Sequence, residues 1–330
     1  MTEVAAGGLI GQYRVVDTLG AGGMGVVYLA EALQGGEPRA LKVMRKEMAT
    51  PEGTRRFLRE ARATMALAHP NVISVFETFE DQGLPVMVME VLRGVTLADY
   101  LLQERKLSLE EACGIFLRVT SALGTAHSLG LVHRDLKPEN VYLLEDAPYV
   151  KLIDFGIAKL TGNGLLRESG VLTKTGALVG TPFYMAPEQA FGERSIDHRA
   201  DGWSLGMMLY ETLTGILPTR EKTLELVFRH FLNGAFPRVE ALEPTVEPAV
   251  ADMIHALLSI DPSQRPADLR PIFEVLGRYA PDIGDNVPTF GPPISVAQRA
   301  TEPAQQATPA APGAGAAPLR MTPAHLKLRR

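Results

Sequence analysis

Apolar positions change their period once along this chain. Before residue 92 they come in short runs bounded by glycines. The runs 12-QYRVVDTLG-20, 25-GVVYLAEA-32 and 39-RALKVM-44 are rich in β-branched and other apolar residues, and Gly35-Gly36 makes a turn between the last two. Such runs predict short strands joined by hairpins. A further run, 84-LPVMVMEVL-92, carries Glu90 and is too short to cross a membrane, so it predicts a buried strand. Residues 54-TRRFLREARATMALA-68 put apolar side chains at helical spacing with charges on the other face, which predicts an amphipathic helix. After residue 95 the helical period dominates, over roughly 96–104, 108–129, 200–215, 222–233, 246–258 and 268–278. The pattern predicts an α+β protein: a small antiparallel β lobe with one helix, then a larger, mainly α-helical lobe.

Composition sharpens that outline. The 330 residues suffice for one large domain or two lobes, and 46% hydrophobic with 22% charged residues fits a globular chain. The net charge of −5 argues against a general nucleic-acid binder. The single cysteine, Cys113, excludes an internal disulfide framework, fits a reducing cytoplasm and sits in an apolar pattern as a buried small hydrophobe. The first residues, MTEVAAGGLI, lack the basic region and apolar core of a signal peptide. No membrane segment is expected and a cytoplasmic location is. From residue 281 the character changes, with nine of the 24 prolines in the last 50 residues and few large apolar ones. Residues 281–330 are therefore expected to be a disordered Pro/Ala-rich tail. It ends on the basic residues Arg320, Lys327, Arg329 and Arg330, a solvated end or a docking peptide.

The densest chemistry begins at 19-LGAGGMGVVYLA-30, where Gly20, Gly22, Gly23 and Gly25 fall together. A dinucleotide fingerprint needs a helix after G-x-G-x-x-G, but Val26 to Leu29 read as a strand. A P-loop needs G-K-[ST], and Gly25 is followed by Val-Val. A strand–turn–strand flap over phosphates and an idle flexible hairpin remain. Lys42 on the next strand and Glu60 in the amphipathic helix read either as surface charges or as a pair that holds an ammonium against phosphate. In 133-HRDLKPENVYLL-144, Asp135, Lys137 and Asn140 converge over a few residues, and Asp154 closes an apolar strand in 152-LIDFGIAKL-160. Phosphoryl transfer needs such groups: a carboxylate for the attacking hydroxyl, a cation for the moving phosphate, and oxygens for a metal.

Taken with 180-GTPFYMAPEQA-190, His69-Pro70-Asn71, 201-DGWSLG-206 and Arg265 in 261-DPSQRP-266, this ordered set resembles the protein kinases. Within them it is most similar to the bacterial eukaryotic-like (Hanks-type) serine/threonine kinases. The resemblance implies a bilobal kinase fold. It divides the chain into an N-terminal extension 1–11, a kinase domain 12–280 (N-lobe 12–92, C-lobe 93–280) and the tail. It implies ATP and Mg²⁺ as cofactors, with Mn²⁺ as an alternative, and protein substrates carrying Ser or Thr. By the same resemblance, Lys42 contacts the α/β-phosphates and pairs with Glu60. Asp135 takes or orients the substrate hydroxyl's proton, Lys137 neutralises the transferring phosphoryl, and Asn140 and Asp154 bind metal. Thr181 bonds to Asp135 and Lys137. Gly20, Gly22 and Gly25 form the flap. Leu19, Val27, Ala40 and Met89 line the adenine slot, with Glu90 and Leu92 at the hinge. Tyr142 departs from the family, which usually has Leu or Met there.

Regulation is implied in the same way. Arg134 before Asp135 and Lys159 would form a cationic pocket for a phosphothreonine. Thr173 and Thr175 lie where related kinases autophosphorylate, in a loop with Gly162, Gly164 and Gly170 that reads as mobile. A homodimer is the partner for phosphorylation in trans. Glu188 and Arg265 are expected to form a buried ion pair, Asp201 to brace the catalytic-loop backbone, and Trp203 to lie in the core. Thr308 and Thr322 are tail modification candidates. The rival readings are a nucleotide-binding scaffold, opposed by the presence of Lys42, Asp135, Asn140 and Asp154, and a small-molecule kinase, opposed by Thr181 and Ala186-Pro187-Glu188.

Overall fold

The computed structural model describes residues 4–146, 149–155, 182–192, 196–218, 226, 229 and 237–281. Six strands form the first sheet: β1 (Leu9–Ile10), β2 (Tyr13–Ala21), β3 (Gly25–Ala32), β4 (Arg39–Met44), β5 (Val75–Asp81) and β6 (Leu84–Met89). Their order is β1-β2-β3-β4-β6-β5, and every pairing is antiparallel. β3 and β4 have the predicted bounds. β1 extends the sheet into the segment expected to precede the domain, and β5 was not singled out, because its polar residues (VFETFED) blur the alternation.

Period-two alternation splits this sheet's core. Leu41 and Val43 point into a cluster with Tyr13, Val15, Tyr28, Val86 and Val88. Ala40 and Met44 point the other way, into a cluster with Phe57 and Ala61 of α1 (Pro51–Ala66). Lys42 shares the α1-facing register. The helix starts where Thr50 accepts a hydrogen bond from the Gly53 N–H at 3.0 Å and Pro51 occupies the first turn.

The second body is helical: α2 (Leu97–Glu104), α3 (Leu109–Ser128), α4 (Pro187–Ala190), α5 (Arg199–Thr214), α6 (Val239–Leu242), α7 (Pro248–Leu257) and α8 (Arg270–Tyr279). A three-stranded sheet, β7 (Gly94–Thr96), β8 (Val141–Leu144) and β9 (Val150–Leu152), is interleaved with these helices, β7 before α2 and the other two strands after α3, flanking the loop 133–140 and leading into Asp154. Ser108 and Glu111 form a capping box at the start of α3. α5 is buried on nearly every face, as expected for a helix with little amphipathic character, and Trp203 and Tyr210 are fully buried on it. Cys113 is buried too, and burial pushes its thiol up to about 12. The predicted helix over 222–233 lies outside the described residues, apart from 226 and 229, as does the tail from 282 on.

Candidate active site

The glycine flap separates into two kinds of position. At Gly25 a Cβ would sit 2.4 Å from the Val43 carbonyl oxygen, so the close approach of β3 to β4 demands glycine there. At Gly20, Gly22 and Gly23 a Cβ would meet nothing within 4 Å. The Gly22 N–H donates to the Gly25 carbonyl at 2.8 Å, closing the hairpin. The protein packing therefore leaves space over the first glycines, which a ligand can use.

Below it, Lys42 is 8% exposed and bridges two carboxylates. Its Nζ donates to Glu60 Oε1 at 3.3 Å and to Asp154 Oδ1 at 2.6 Å. Burial alone would lower the Lys42 ammonium, but Asp154 and Glu60 outweigh burial and hold it above its ordinary value. Burial pushes the Glu60 carboxyl upward against the opposing pull of Lys42. Asp154 is the more accessible partner, with its side chain 50% exposed against 8% for Glu60. The pairing with Glu60 was expected; the shorter contact to Asp154, 112 residues away in sequence, was not.

The loop 133–140 is held from three sides. Asp201, fully buried on α5, accepts from the His133 N–H, the Arg134 N–H and His127 Nε2, each at 2.8 Å. Burial would raise its carboxyl, yet these donors hold it below its ordinary value. Gln189 Nε2 donates to the Arg134 carbonyl at 3.0 Å, and Asn140 Nδ2 to the Asp135 carbonyl at 2.8 Å. Arg134 adopts the left-handed conformation (φ 63°), as does Asp154 beyond β9 (φ 52°), so both carry backbone strain. Lys137 Nζ lies 3.3 Å from Asp135 Oδ2. His133 packs its ring on Phe155 at 4.6 Å, and burial lowers its pKa. The Ile153 N–H donates to the Asn140 carbonyl at 2.9 Å, which ties the loop to the residue before Asp154.

The donor set suits a hard cation. Asn140 engages its amide nitrogen with Asp135, leaving an amide oxygen as its ligand atom, and Asp154 offers a carboxylate. Two protein oxygens are the small share that Mg²⁺ takes when phosphates and waters supply the rest. Among the described residues no three His, Cys, Asp or Glu side chains gather into a metal cage.

Of the residues expected to line an adenine slot, the structure brings Ala40 and Met89 into one apolar cluster with Val27 and Leu92 against it. Leu19 is 50% exposed and stands outside that cluster. The Tyr142 hydroxyl donates to the Gly94 carbonyl at 3.0 Å. Arg265 makes a two-pronged bond to Glu188, at 2.6 and 2.9 Å, and lies over the Trp203 ring at 5.1 Å. Arg134 donates to the Ile196 carbonyl at 3.1 Å. Lys159, Gly156, Thr173, Thr175 and Thr181 lie outside the described residues. Sequence reasoning missed Lys151 and Ser74, which grip Glu90. It also missed a cavity of about 490 Å³ lined by Leu101, Pro138, Glu139, Tyr184 and Glu211. Nothing local marks these residues, because their partners lie far away in sequence.

Comparison with known proteins bears on this geometry. The family model described as Protein kinase domain matches residues 13–276. Serine/threonine-protein kinase Pkn1 of Myxococcus xanthus is 38% identical over 264 residues, covering 78% of this chain and 37% of that protein. PrkC of Bacillus subtilis is 34% identical over 257 residues, covering 77% of this chain and 38% of that protein. The chain thus spans less than half the length of these curated relatives. The crystal structure of the Mycobacterium tuberculosis PknI kinase domain superposes with a TM-score of 0.65 at 27% identity, covering 84% of this chain and 99% of that one.

Proposed function

The chain belongs to the protein kinase domain family, and on that premise we propose that it is a serine/threonine protein kinase of the bacterial Hanks type. It transfers the γ-phosphoryl group of ATP to Ser or Thr hydroxyls of proteins. The observation that carries this reading is Lys42 bridging Glu60 and Asp154, beside a loop whose Asp135, Lys137 and Asn140 are held in mutual contact.

Each residue then has a task. Asp135 orients the acceptor hydroxyl and receives its proton as the new oxygen–phosphorus bond forms. The bond from the γ-phosphorus to the bridging oxygen breaks, and ADP leaves. Lys137 offsets charge on the moving phosphoryl. Lys42, steadied by Glu60, binds the α/β-phosphates, and Asn140 and Asp154 hold Mg²⁺. The bound ion neutralises phosphate charge and fixes phosphate geometry. The open space over Gly20 and Gly22 admits phosphate oxygens to flap N–H groups. Ala40, Val27, Met89 and Leu92 take the base, with Tyr142 at its floor.

Thr173 and Thr175 are the proposed autophosphorylation sites, with a second copy acting in trans and Thr181 positioning Asp135 and Lys137. No described helix is long and apolar enough to cross a membrane. A cytoplasmic placement of the catalytic domain follows from the use of ATP. Labelled-ATP transfer to a generic acceptor protein tests the reading, with Asp135→Asn as control. Transfer by the parent and its loss in the variant are expected. Absence of transfer from the parent after preincubation with Mg-ATP refutes it. Mass spectrometry with neither Thr173 nor Thr175 modified removes the autophosphorylation sites.

A further inference from the structure

Lys151 is a buried cation that phosphoryl transfer does not use. It lies at the centre of β9, is 6% exposed, and is the cross-strand partner of Tyr142. Its Nζ donates to Glu90 Oε1 and, at 3.2 Å, to the Val72 carbonyl. Glu90 is gripped from a second direction. The Ser74 N–H donates to the same Oε1 at 2.6 Å, and the Glu90 N–H donates back to the Ser74 carbonyl at 3.0 Å. The segment 71–74 is itself stitched to β9. The Leu152 N–H donates to the Asn71 carbonyl at 2.9 Å, the Ile73 N–H to the Leu152 carbonyl at 3.0 Å, and Asn71 Nδ2 to the Val150 carbonyl at 2.7 Å.

Three chain segments meet at this one ammonium: the end of β6, the α1–β5 connection, and the strand that leads into Asp154. The cation is buried and its carboxylate partner only partly so, and such a pair is a poor source of stability, since an apolar side chain of similar volume serves a core as well or better. What a buried cation supplies is direction, because it must meet its acceptors or pay the full cost of desolvation.

We propose that Lys151 is a positioning residue for the nucleotide base. By fixing Glu90, it sets the backbone edge at residues 90–92 against the floor at Tyr142, in register with the strand that places Asp154. The proposal rests on the reading of residues 89–92 as the base-binding edge, and its test separates the two.

Adenosine and ADP binding are measured by calorimetry for the parent and for Lys151→Met, together with KM for ATP and kcat. The expected result is a loss of about tenfold in affinity, the size of one charge-assisted hydrogen bond. The loss is equal for adenosine and ADP, because it arises at the base. KM for ATP rises in parallel and kcat changes by less than about threefold. Lys151→Arg, which keeps the charge, recovers most of the affinity. Leu276→Ala in α8 controls for general destabilisation and leaves adenosine affinity unchanged. The proposal is overturned if Lys151→Met, shown folded by circular dichroism, binds adenosine within twofold of the parent, or if Leu276→Ala weakens binding as much. Should Lys151→Met not fold, Glu90→Met, which removes the shared acceptor oxygen, takes its place and is held to the same tenfold and twofold limits. A parent that binds no adenosine removes the base edge itself, and the positioning role with it.

Discussion

Asp201→Asn isolates one buried carboxylate and asks what it does for the reactive loop. The carboxylate accepts three hydrogen bonds, two at Oδ2 from His127 and the His133 N–H, and one at Oδ1 from the Arg134 N–H. An amide of the same shape has one oxygen. If that oxygen keeps the two donors at Oδ2, the NH₂ faces the Arg134 N–H, and a charge-assisted bond worth ~1.5–3 kcal/mol gives way to two opposed donors. A buried donor left without a partner costs roughly 1–3 kcal/mol more. Burying a neutral amide instead of a charge offsets part of this, so the net expectation is a loss of about 2–4 kcal/mol. Arg134 at φ 63° loses the bond that holds its strained backbone, and Asp135 follows it directly, so kcat falls on the order of tenfold or more. Trp203, the chain's one tryptophan, is fully buried two residues away and reports urea unfolding by fluorescence. The acid limb gives a second readout. The folded-state pKa of Asp201 lies below its ordinary 3.8, so its contribution is complete above that value and is lost as pH falls through the folded pKa. The gap between parent and Asn variant therefore narrows below about pH 4. A variant within ~0.5 kcal/mol of the parent, with kcat unchanged, refutes the bracing role.

Further expectations rest on other contacts. Arg265→Met strands the buried Glu188 carboxylate and costs about 3–5 kcal/mol in the same urea assay; a loss under ~1 kcal/mol contradicts the reading. Burial holds the folded-state pKa of His133 below its ordinary 6.5, so its contribution is present above that value and is eroded as pH falls toward 5. The slope reaches at most ~1.4 kcal/mol per pH unit, and His133→Tyr removes that component of the pH profile. Gly25→Ala places a Cβ 2.4 Å from a backbone oxygen and is expected to cost 2 kcal/mol or more, whereas Gly20→Ala, with open space at its Cβ, stays within ~1 kcal/mol of the parent in melting experiments but raises KM for ATP.

Much of this was legible along the chain because the signals are local. Strands β3 and β4 follow from β-branched runs between glycines, and α1 from apolar residues at helical spacing that place Phe57 and Ala61 on one face. Asp135, Asn140 and Asp154 stood out because each sits in a short cluster whose residue types suit phosphate and metal chemistry, whereas Lys42 is a lone lysine on a strand and was singled out only with the whole ordered set. β5 and β7 escaped notice: their runs are short or polar, and they exist because a neighbouring strand pairs with them.

The sequence by itself determined most of the elements, the glycine-rich hairpin and the candidates for phosphate handling, since periodicity and motif spacing act over a few residues. The tertiary structure alone decided which charges meet. Lys42 reaches Asp154 across 112 residues of chain, Arg265 reaches Glu188 across 77, and Lys151 reaches Glu90 across 61. Each is a buried charge with few acceptors in reach, so its partner is set by where the packed core brings the chain back.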